Sequence, residues 1–425
     1  MRRLLAASSS SLLALATLFS SGSAHATEPQ DAPIVRDRDA DIGTRPAQAA
    51  APEPASKTSA TYDEPAVSTG EYRSRSYAPI ASDPPTDWAV LHAGLRPHLG
   101  TFGGIATLAL AHARTETFYG LFSLSAIRND AGTHIGAAQV ALGRNLADTF
   151  GGVGQVSLSE NRARNFFGAG QTALAYNRSG EMIGVWQLAA MNRARVFGGG
   201  AQLGFYNRAD EHFAGLAQVG TFDWAQKDFS GIAQVGVVSA VGPEILGEHG
   251  NTKSRFAGAV QVGALSSVNG DFYGLAQIGG ASFTSGKFTG LVQVAGLGAG
   301  AKEFRGLAQI GTVTVVDNGY GMQIGGGAIA LKEHTGLQIA AGTYAKSIDG
   351  AQIGVANIAD KVRGVQIGLF NHAKSLRGVQ IGLANHAEDG VLPWTAILNM
   401  GFGDGDGGGD EPDYDRSDVQ RAAWR

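Results

Sequence analysis

Glutamine recurs at near-constant spacing from residue 139 to residue 380, and no other feature restricts the fold so strongly. The series is Gln139, Gln155, Gln171, Gln187, Gln202, Gln218, Gln234, Gln261, Gln277, Gln293, Gln309, Gln323, Gln338, Gln352, Gln366 and Gln380. The early steps are 16 or 15, and four of the five after Gln309 are 14. One step of 27 is a 16-residue unit plus an 11-residue insertion around Gly242 to Gly250. Thr107 and Ser123 continue the 16-residue step backward, so the repeat runs from about residue 88 to Phe402. A period of this size makes each unit one supersecondary element of a repeat architecture.

The residue after Gln is Val, Ile or Leu in 15 of 16 units, and the residue after that is always Gly, Ala or Ser. Apolar and polar positions alternate with period two, which predicts a strand. Polar stretches such as Gln226-Lys227-Asp228, Lys332-Glu333-His334 and His372-Ala373-Lys374-Ser375 separate the strands and read as turns. Helix is disfavoured because all but 7 of the 62 Gly fall between Asp87 and Gly403.

Charge is excluded from the strand centres. From two residues before each Gln to four after, 16 windows of seven cover 112 residues without one Asp, Glu, Lys or Arg; at the chain's 16% they would hold about 18. An ordinary soluble sheet puts charge on its wet face. Two all-β architectures account for its absence. The first, and the expected one, is a closed antiparallel meander of about 20 strands, an outer-membrane-like β-barrel. Its strands are the sixteen Gln segments, two around Thr107 and Ser123, one near Trp88 and one near Trp394 to Phe402. In it the aliphatic face meets lipid. Gln218, Gln234, Gln277, Gln293, Gln309, Gln366 and Gln380 form a structural polar column in the lumen. Phe at strand starts, such as Phe213 and Phe272, suits the membrane interface. The alternative is a β-solenoid, with aliphatics in a thin core and Gln laddered along a face. Short turns throughout and Leu216, Ile232, Leu275, Leu291 and Leu307 on the Gln side count against the barrel.

The flanks are a different material. Arg2 and Arg3, an apolar run from Leu12 to Phe19 and the Ala24-His25-Ala26 site predict a signal peptide over 1–26. Residues 27–86 carry 9 of the 13 prolines and read as a disordered linker. The repeat domain spans 87–403, and 404–425 reads as an acidic, Gly-rich disordered tail. The chain is therefore expected outside the cytoplasm, in the outer membrane or at the cell surface of a Gram-negative bacterium.

Gly364-Val365-Gln366-Ile367-Gly368-Leu369-Phe370-Asn371 and Gly378-Val379-Gln380-Ile381-Gly382-Leu383-Ala384-Asn385 resemble the repeats of bacterial surface-repeat proteins, including those of leptospiral type. The resemblance covers residues 345–402 and implies an exported envelope component. It carries no site residues.

No reaction chemistry emerges. The chain has no Cys, which excludes thiolate metal sites and a cysteine nucleophile. Its 10 histidines form no His-Glu-x-x-His motif, and His372 and His386 read as turn residues one unit apart. The formal net charge of −4 gives no footprint for nucleic acid. The expectation is a non-enzyme without catalytic residues, cofactor or metal. Outer-membrane lipid is the expected partner, and the role is structural or pore-like. The alternative is a secreted or surface-exposed solenoid acting as a binding module.

Overall fold

The strands pair in parallel and in register, each unit with the next. Gln139 lies against Gln155, Gln155 against Gln171, and Gln187 against Gln202. Turn-side residues obey the same rule, as Asn145 opposite Asn161 and Asn192 opposite Asn207 show. Such pairing needs the chain to come full circle in every unit. The molecule, a computed structural model describing residues 85–243 and 254–403, is a parallel β-solenoid. The closed antiparallel barrel is thereby overturned. In a meander, successive units run in opposite directions, whereas here all but one of the pairings are parallel. The signal peptide, most of the linker, most of the insertion and the acidic tail lie outside the described residues.

The solenoid is also inside out relative to the expected one. The sixteen repeat glutamines are fully buried, while the aliphatics that flank them are exposed or half-exposed. Each coil sends four side chains inward, and coil-on-coil stacking turns each into a column. One is aromatic: Phe102, Phe118, His134, Phe150 and Phe166, then Met182, then Phe197 through Phe304. Its Phe–Phe contacts are near-parallel, with centroids 4.8–5.3 Å apart. These phenylalanines form core and do not belong to a membrane interface. A second column is mostly Ala, including Ala163, Ala194, Ala209 and Ala225. The other two are polar: one is Gln from Gln139 to Gln380, and the other is Asn up to Asn207 and again at Asn357, Asn371 and Asn385, with Asp223, Ser239, Ser266, Ser282 and Thr314 between.

Past Gln309 the coil shortens, and Phe gives way to the smaller Ile348, Val362 and Leu376. Gly350, Gly364 and Gly378 take φ of 143°, 136° and 146°, a region that L side chains rarely enter. A Cβ on Gly364 would also collide with the carbonyl oxygen of Gly350. This places Gly two residues before Gln in the 14-residue units. At the C-terminal end, Trp394–Phe402 folds back antiparallel on the last coil, with Asn399 opposite Gln380. A register shift occurs there, and Ile397, at φ 74°, is the one non-Gly residue with positive φ among the described residues. A bulged, reversed strand blunts an edge that would otherwise accept another coil.

Candidate binding surface

Burying so many carboxamides is tolerable only if each is satisfied, because an unpaired buried polar group costs about 1–3 kcal/mol. The coil repeat solves this. Each Gln Nε2 donates to the Oε1 of the preceding Gln, in an unbroken ladder from Gln380 back to Gln139 at 2.7–3.0 Å. Asn399 Nδ2 supplies the terminal Gln380 Oε1 at 3.3 Å. A second ladder runs with opposite polarity. Asn129, Asn145, Asn161, Asn177 and Asn192 each donate forward to the next Asn, ending with Asn207. Gln218, Gln234, Gln277, Gln293, Gln309, Gln366 and Gln380 are thus brought into one column, sealed from solvent.

Three ionisable groups sit inside this core without the pairing that surrounds them. Asp223 takes the next Asn position; its Oδ1 accepts from Asn207 Nδ2 at 2.7 Å, and its Oδ2 has no partner. Burial pushes its carboxyl up to about 7, against the Asn207 and Gly220 donors. His134 lies between Phe118 and Phe150, with neither ring nitrogen hydrogen-bonded, and burial lowers it to about 4. His334 is also lowered to about 4 by burial, which outweighs the backbone of Leu337 and Gly321. Sequence reading missed all three. The signal was their register: each replaces a Phe or Asn at the coil period.

Asp223 yields a prediction. Its native carboxyl holds a proton up to about pH 7, whereas the unfolded chain releases it near 3.8. Its contribution is therefore full below pH 3.8 and is lost as pH rises through 7. Asp223→Asn keeps the acceptor for Asn207 and supplies a donor where Oδ2 has no partner. We expect it to raise stability at pH 8 by several kcal/mol, about 1.4 kcal/mol for each pH unit between 3.8 and 7, read as a thermal midpoint above wild type that converges toward it at pH 4.

The outward side of the Gln strands is an uncommitted aliphatic surface. Leu216, Ile232, Leu275, Leu291 and Leu307 are 55–60% exposed and stack in one row. Val156, Val219, Ile278, Ile310 and Ile381 form a second row, and Leu142, Leu174, Leu369 and Leu383 a third at the corner. No charged residue interrupts them from two before Gln to four after. With coils about 4.8 Å apart, the face is roughly 70 Å long, and at ~3.3 Å per residue about 17 Å wide. That approaches ~1,200 Å², two to four times the largest apolar patch of a typical monomer.

The charges lie on the strands opposite and at the corner that follows. Gln234 Nε2 reaches across the interior to the carbonyls of Asp223 and Ala240, so the two strand layers face each other. There Arg193 pairs with Asp210 at 2.8 Å, Arg195 with Glu181 at 2.8 Å, and Lys374 with Asp360 at 2.8 Å. The solenoid is amphipathic, one side aliphatic and the other charged. His372 and His386 stack on that charged side, Nδ1 to Nδ1 at 2.8 Å, with the imidazole of His386 against Trp394. Among the described residues, no group of three or more His, Asp or Glu is arranged to hold a metal ion. Comparison with family models, curated proteins and solved structures returns no match.

Proposed function

We propose that this protein is an exported, non-enzymatic β-solenoid of the cell envelope that lies on outer-membrane lipid by its aliphatic face and works there as a binding module. The exposed, charge-free face about 70 Å long carries this reading. A surface that is apolar on one side and charged on the other settles at a lipid–water boundary, as amphipathic helices do. The signal-like residues 1–26 and the resemblance of residues 345–402 to surface repeats support export. The pore-like role falls with the barrel, since the interior of the coil is filled by Phe, Gln, Asn and Ala.

Vesicle flotation tests it. The mature chain should float with vesicles of outer-membrane lipid. Leu216→Ser, Leu275→Ser and Leu307→Ser combined should cut partitioning roughly a hundredfold, at about 1 kcal/mol per half-exposed Leu. The folded core should be intact, because none of the three is buried. A triple variant that floats like wild type would remove the face from the contact. A wild type that stays out of the lipid fraction as a dimer would make a second copy the occupant.

A further inference from the structure

The charged side of the N-terminal half is not uniform. Arg162, Arg178, Arg193 and Arg208 stand in register on four successive coils. They point outward between the buried Asn and Ala columns, about 4.8 Å apart in a straight row. In-register like charges destabilise a sheet. The neighbouring carboxylates only partly offset them. Glu160 is shared by Arg162 at 2.9 Å and Arg144 at 3.9 Å, and Asp210 by Arg193 at 2.8 Å and Arg208 at 2.6 Å. The corner residues Glu181 and Glu211 are engaged by Arg195. Arg144, Arg162, Arg193 and Arg208 thus divide two carboxylates between them, and a net positive charge remains.

Two tyrosine rings and a thioether line the same strip. Tyr176, Met191 and Tyr206 form the adjacent row, in register with one another. Trp224 ends the arginine row, with the Arg208 guanidinium 5.0 Å from its ring centroid. A row of evenly spaced cations beside tyrosine rings and a methionine side chain suits a linear polyanion that also presents apolar faces.

We propose that this strip binds an anionic polysaccharide, carboxylated or sulfated, laid along the solenoid axis. The spacing selects the class. An extended acidic peptide presents same-side carboxylates about 6.8 Å apart, at about 3.4 Å per residue, which drifts out of step with coils at about 4.8 Å. A chain of pyranose rings advances close to one coil per ring, and its C–H faces can rest on Tyr176 and Tyr206. Nucleic acid asks for a broad basic field, and the whole chain carries −4. The site is on the side opposite the aliphatic face, so it does not rest on the lipid reading.

The test uses the full mature chain in solution without vesicles. Dextran sulfate is titrated calorimetrically against neutral dextran of the same length, over a salt series. Wild type should bind the sulfated polymer and not the neutral one. Arg162→Gln with Arg193→Gln should weaken binding at least tenfold, with a salt dependence shallower by about two counterions. Arg363→Gln, on a distant coil and paired with Asp349, should leave binding unchanged. Should the double variant lose its fold, Arg162→Gln alone is read instead, its side chain being 41% exposed; a three- to tenfold loss is expected. Equal binding of both dextrans, an equal loss with Arg363→Gln, or unchanged affinity in the strip variants would overturn the proposal.

Discussion

Gln277→Ala is expected to cost about 3–5 kcal/mol, while Leu275→Ala, two residues away, should cost under about 0.5 kcal/mol. The usual ranking of aliphatic over polar is inverted because Gln277 is fully buried and Leu275 is 56% exposed. Removing the Gln277 carboxamide takes the donor from Gln261 Oε1 and the acceptor from Gln293 Nε2, bonds of 2.9 and 2.8 Å. Gln261 Oε1 is then orphaned at a cost of about 1–3 kcal/mol, Gln293 Nε2 keeps only the Ser282 and Gly300 carbonyls, and the vacated volume adds to this. Gln277→Glu should be worse, since a carboxylate cannot donate to Gln261 and its charge is stranded among amides. Solenoid stability is a sum of coil and interface terms. The loss should therefore appear as an earlier unfolding step in thermal melts followed by circular dichroism. Equal midpoints for Gln277→Ala and Leu275→Ala would refute a buried ladder.

His134→Phe should stabilise the protein at pH 7 by about 2 kcal/mol, the usual cost of buried polar atoms left unsatisfied. The imidazole already stacks on Phe118 at 4.4 Å and Phe150 at 5.0 Å, so a phenyl ring meets the same neighbours. What it removes is two buried nitrogens without partners. The benefit should grow in acid. Native His134 stays neutral down to about pH 4, while the unfolded chain takes up its proton near 6.5. Stability is thus complete above pH 6.5 and falls as pH drops to 4, by about 1.4 kcal/mol per unit. At pH 5 the variant's advantage should exceed its value at pH 7 by about 2 kcal/mol. His334 imposes a similar slope that the substitution leaves in place. A pH-independent difference between the two melting curves would show that His134 is not held neutral.

The spacing of Gln, the strand character and the charge-free windows are all legible in the sequence alone. Strand pairing is not, because a meander and a coil share one period when only the strand centres are compared. The discriminating signal lies in the corners. Asn161-Arg162-Ala163, Asn192-Arg193-Ala194 and Asn207-Arg208-Ala209 recur in every one or two units at nearly the same distance after Gln. A meander alternates its turns between two rims and would repeat such a corner only every second strand. The inward direction of Gln is hidden for a different reason. A polar column beside an aliphatic one reads as the wet face unless the polar groups can satisfy one another. Only the coil geometry, which sets each carboxamide one strand spacing from its copy, makes that possible. Asp223, His134 and the arginine row are likewise properties of register, visible once residues one coil apart are known to touch.

The parallel ladders have a mechanical consequence. Backbone and carboxamide hydrogen bonds alike lie along the solenoid axis. Tension between the two ends therefore meets the coils in series, each junction bearing the full force. The chain should yield as a thread leaves a spool, one turn at a time. Each turn lost from the 16-residue region frees roughly 50 Å of slack, at about 3.4 Å per residue. Pushed sideways, the same molecule resists as a beam, with Phe and Gln stacks as its ribs.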